Sequence, residues 1–158
     1  MNNIAHFHLV ITHLPVILPF ISFLILLFGI VLRSEDFKRL AYAFLIFSAF
    51  SALLSVYTGE GAEHIVEKLG RDHKFIHEHE ERAEFFALCS YILGLIGAIA
   101  LYLNWKNKPL KNIAMIVVMV STLIVMYLAK GTGTSGAKIS HPEVYDKQLK
   151  GKKIKVKL

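Results

Sequence analysis

Charge is scarce in this chain, and the scarcity is concentrated. Of 158 residues only 19% are Asp, Glu, Lys or Arg, against 54% hydrophobic, too blocky a distribution for an ordinary soluble domain. Residues 40–57, 85–103 and 113–129 contain no charge at all, and 10–32 is interrupted only by Thr12, His13, Pro15, Pro19 and Ser22. Each run approaches the roughly 20 residues that cross a hydrocarbon core about 30 Å thick. Cysteine is nearly absent too. Cys89 stands alone inside the third run, so no internal disulfide can form, and packing is its simplest role.

Other absences narrow the class. No Lys or Arg precedes the first run, and no small-residue cleavage pattern follows it before Arg33, so it is expected to remain as a first span. The runs lack strand alternation, and in lipid only helices or closed barrels satisfy their own backbone. The expected fold is therefore all-α: four transmembrane helices in an up-down-up-down bundle within residues 1–129, spanning about 10–32, 40–57, 85–103 and 113–129. A Gly-rich turn and a basic tail follow over 130–158. Gly94, Gly97 and Ala98 on the third helix, with Ser48, Ser51 and Ser55 on the second, offer small surfaces for close packing.

The long loop, 58–84, carries its own signals. Residues 60–69 fit a short amphipathic helix that stops at Gly70, and Asp72 can cap a new helix running from His73 into the third span. The two tight loops hold Arg33, Lys38, Arg39, Lys106, Lys108 and Lys111, and the opposite side holds Lys68, Arg71, Lys74, Arg82, Lys130 and Lys138. That balance is broken by the first helix, with no basic residue before it and three soon after. Both termini are thus expected outside, which in a bacterial inner membrane means the periplasm. The terminal lysines, Lys147 to Lys157, have no interleaved aromatics, which argues against nucleic acid; a solvated tail or contact with anionic lipid suits them better.

Under this topology all eight histidines fall on one membrane face. His13 lies just below the surface, and an ionisable group there is a candidate functional residue. His8 and His13 are five residues apart, about 140° around a regular helix. They share a face only if Pro15 bends the chain. Imidazoles suit Zn, Cu, Ni or Fe, with Glu60, Glu63 and Glu78 as oxygen ligands or supporting groups. Alternatively, two histidines on different helices can ligate haem b, with His13 and His79 as axial candidates. The chain has no Cys-x-x-Cys-His for covalent haem, no His-Glu-x-x-His and no Glu-x-x-His, which argues against zincin or di-iron carboxylate chemistry. The sequence "GTGTSG" at 131–136 matches a dinucleotide fingerprint only in letters, since a membrane helix precedes it. Its glycines are expected to turn the chain back and carry His141 towards the other histidines.

Several segments resemble a family. "HLVITHLP", "TGEGAEHIVEKL" with "EHEERAE", and "GTSGAKISHPE" are similar to motifs of the small bacterial membrane proteins catalogued as domain of unknown function 2231. The resemblance covers His8, His13, Pro15, Glu60, Glu63, His79, Gly133, Gly136 and His141. His6, His64, His73 and His77 do not match, and Ala137 stands where the family usually shows a second glycine. The resemblance implies a four-helix membrane protein, and fusion of some members to cytochrome c-like domains implies a redox setting. It implies no particular reaction.

The expectation is an integral membrane protein binding haem b or a metal ion (Zn, Cu or Fe) through His8, His13, His79 and His141, with Glu60 and Glu63 as further metal ligands. It would transfer electrons within a respiratory assembly, in contact with lipid and with a protein partner or a second copy. Two other readings are a cofactor-free accessory subunit and, disfavoured by the absence of a mid-span charged relay, a small ion transporter.

Overall fold

A computed structural model describes residues 4–145; the basic tail beyond them lies outside the described residues. Among these residues the structure is entirely helical: α1 (Ile4–Ile11), α2 (His13–Val31), α3 (Glu35–Lys68), α4 (His73–Trp105), α5 (Lys111–Ser140) and the short α6 (Pro142–Tyr145). Four helices are long and apolar enough to cross a membrane, α1 and α2 together counting as one. Residue pairings show that neighbours run antiparallel. His8 meets Thr58 and Gly29 meets Lys38 across α2 and α3, with α1 continuing the first helix. Gly97 meets Leu45 and Asn104 meets Arg39 across α3 and α4, and Arg82 meets Thr132 while Glu78 meets Lys138 across α4 and α5.

The three turns share one local solution. After α2, Ser34 N–H bonds the Gly29 carbonyl and Arg33 N–H bonds the Ile30 carbonyl. The same pair of bonds closes α3 around Gly70 and α4 around Asn107. This Schellman geometry satisfies last-turn carbonyls but requires a left-handed residue, and Arg33 (φ 52°), Gly70 (φ 72°) and Asn107 (φ 48°) supply it. Glycine was the legible one. Asp72 caps α4 as its sequence suggests, its carboxylate accepting from Lys74 N–H at 2.9 Å.

Two expected boundaries are corrected. The amphipathic segment 60–69 is not a separate helix but the continuation of α3, which runs unbroken through Gly59 and Gly61. Each glycine costs a helix interior about 1 kcal/mol relative to Ala, yet here they face α1. A Cβ at Gly61 would come within 2.6 Å of Ile4 Cγ2, so the glycine permits α1 to seat on α3. Likewise "GTGTSG" does not turn the chain: it forms late turns of α5, with Thr132 and Ser135 buried against α4. At 34 residues, α3 is about 51 Å long. That is some 20 Å more than a hydrocarbon core.

The interior is small and partly polar, while bulky apolar side chains face outward. Ser22, Ser48, Ser51, Ser90 and Thr122 are buried beside Leu26, Tyr42, Leu45 and Val118, whereas Phe28, Val31, Leu95 and Ile116 are more than half exposed. Water would penalise that arrangement, and lipid suits it. Gly94 and Gly97 are buried at the α3–α4 contact, where a Cβ at Gly94 would collide with the Ala49 methyl. Ser48 instead faces α2 and Ala98 is exposed, so the small-residue surface is narrower than expected. Ser48 also compensates a proline. Pro19 cannot donate to the Pro15 carbonyl, and Ser48 Oγ, 3.5 Å away on α3, does so.

Candidate functional site

Two polar clusters sit at opposite ends of the bundle. At the end with the long hairpin, α1 lays His8 against α3 and α4 lays His79 against α5. His8 Nδ1 is 3.0 Å from Thr58 Oγ1. His79 Nδ1 is 3.0 Å from Ser135 Oγ. Both imidazoles are half-buried. Close approach is made possible locally: a Cβ at Gly136 would press within 3.2 Å of His79 Cε1. Thr132 Oγ1 donates to the Arg82 carbonyl at 3.2 Å, and Lys138 pairs with Glu78 at 2.9 Å, so the α4–α5 register at His79 is held from both sides.

The other expected ligands are placed differently. His13 is exposed, and the bend that would have brought it to His8 is missing. Thr12 keeps helical dihedrals (φ −64°, ψ −20°), and its N–H still bonds the His8 carbonyl at 3.0 Å. Pro15 falls in the first turn of α2, where a missing donor is tolerated. His8 and His13 therefore keep roughly the 140° separation of a regular helix. His141 is exposed at the end of α5, roughly 8 Å along the axis beyond Gly136, because the glycine segment is helical. Glu60 is exposed and Glu63 half-buried, farther along α3 than Thr58, and Glu78 is engaged by Lys138 and Arg82. Among the described residues no three His, Cys, Asp or Glu side chains gather as a bare metal ion would require. At the hairpin tip, exposed His73 pairs with Glu67 at 2.8 Å, and His77 lies 3.4 Å from Glu81.

At the far end, a cluster that the sequence does not announce ties three helices together. Asn104, 3% exposed on α4, accepts from Arg39 Nε at 2.8 Å and donates to Glu35, both on α3. Glu35 also pairs with Lys38 at 2.8 Å and lies 3.8 Å from Lys111 of α5, while the Arg39 guanidinium stands 6.0 Å above the Trp105 ring. Asn104 directly follows the third apolar run, a position that reads as the start of a loop. Its one signal is being the first polar residue on a helix still packed against its neighbour.

The arrangement is that of a small bundle of membrane-length helices with two hydroxyl-anchored histidines at one end and a charged clamp at the other. No family model, no curated protein and no solved structure matches this chain.

Proposed function

We propose that this is an integral protein of a bacterial inner membrane that holds haem b between His8 and His79 and passes electrons to a membrane partner. One observation carries the proposal: two half-buried imidazoles from distant parts of the sequence stand at the same end of the bundle, each anchored through Nδ1 to a hydroxyl of a neighbouring helix. The donor set favours haem over a bare ion. A zinc-type site needs three or four protein ligands, whereas a porphyrin supplies its own nitrogens and takes one or two axial histidines. His8 and His79 would hold the haem, His8 taking the place expected for His13. Bound haem would supply a one-electron couple. The chain's part is to fix both rings through Thr58 and Ser135 and to limit water with the α1–α3 and α4–α5 contacts. The resemblance to the domain of unknown function 2231 family supports a redox setting, and the basic residues that follow the first helix favour a periplasmic histidine face.

Haemin titration of the detergent-purified protein tests this. The expected result is a saturable Soret band at one haem per chain, lost in His8→Ala and His79→Ala and retained in His13→Leu. Absence of saturable binding, with the protein folded by circular dichroism, would sink the proposal and leave the accessory-subunit reading.

A further inference from the structure

Both histidines are held by the same device. Thr58 Oγ1 lies 2.9 Å from the Leu54 carbonyl and 3.1 Å from the Ser55 carbonyl, and Ser135 Oγ lies 2.9 Å from the Thr132 carbonyl. A hydroxyl has one hydrogen. Directed at its own helix's carbonyl, it leaves only lone pairs facing the imidazole. Each hydroxyl therefore presents an acceptor to the ring nitrogen it faces.

We infer that Thr58 and Ser135 are positioning residues that fix His8 and His79 as Nδ1–H tautomers and leave each Nε2 lone pair free to bind an iron centre. The use of those lone pairs rests on the haem reading; the tautomers do not. A ligating histidine commonly donates its second ring N–H to a neighbouring acceptor, which sets its orientation and basicity. Here the acceptors are in place on α3 and α5, the helices that carry neither histidine. Removing either hydroxyl therefore removes the acceptor that its ring faces. Thr58 is 8% exposed and Ser135 1%, so bulk water does not compete freely at either hydroxyl.

Nitrogen-15 spectra of histidine-labelled, cofactor-free protein in detergent at pH 8 test the tautomers directly, with His8→Gln and His79→Gln identifying the two signals. Protonated Nδ1 is expected for both. Thr58→Val and Ser135→Ala should each convert the corresponding signal to a mixture and weaken haemin binding about 10–100-fold. Thr58→Ser and Ser135→Thr, which keep the hydroxyl, should restore both properties. Protonated Nε2 at either wild-type histidine overturns the inference, as does a tautomer unchanged in Thr58→Val and Ser135→Ala. Protonated Nδ1 at both sites without haemin binding upholds it and removes only the haem reading.

Discussion

Moving one methyl group across the α3–α4 contact tests the packing of this bundle. In Gly94→Ala the new methyl collides with the Ala49 methyl, so the helices must part or slide. Overpacking of this kind costs about 1–3 kcal/mol, against a gain of about 1 kcal/mol for replacing Gly within a helix. The expected net loss is about 1 kcal/mol. Ala49→Gly alone loses about 1 kcal/mol of helix propensity. In the double variant the propensities cancel. With the Ala49 methyl removed, the nearest remaining atoms to the new Cβ are the Leu45 carbonyl oxygen at 3.6 Å and the residue 49 Cα at 3.8 Å, both ordinary contacts. The double variant should therefore lie near wild type, a coupling of about 2 kcal/mol, within the range for residues in direct contact. Unfolding in mixed micelles, followed by the fluorescence of Trp105, the sole tryptophan, measures all four corners of the cycle. Additive single effects, or a Gly94→Ala variant more stable than wild type, would refute the close approach.

Two further substitutions probe the buried polar groups. Ser22 Oγ is, among the described residues, the buried side-chain atom with no hydrogen-bond partner; Ser22→Ala should leave stability unchanged or raise it by up to about 1 kcal/mol, and a clear loss in the same unfolding assay would show that a partner exists. Asn104→Leu removes the bridge between Arg39 and Glu35 and should cost about 1–3 kcal/mol. It should also shift Trp105 emission as Arg39 loses its anchor, and an unchanged spectrum and midpoint would mean that the other ion pairs hold α3 and α4 without it.

What the sequence determined alone was local. The charge-free runs set the number and approximate position of the four helices long and apolar enough to cross a membrane, because length and hydropathy act residue by residue. The stop at Gly70 and the cap at Asp72 were equally legible, since each depends on the chemistry of a few adjacent residues. The angular phase of each helix was not legible. In a soluble helix a polar face reveals which side is buried, but these helices are apolar on the outside as well, so periodicity says little about who faces whom. Only packing decided that His8 turns towards Thr58 while His13 faces outward. The same holds for the glycines of 131–136. Their freedom reads as a turn in isolation, yet the contacts of Thr132, Ser135 and Lys138 with α4 keep them helical and leave His141 at the helix end. The candidate histidines were visible in the sequence as a set. Which of them are anchored between helices was a long-range consequence of helix register, set by contacts between residues fifty or more positions apart.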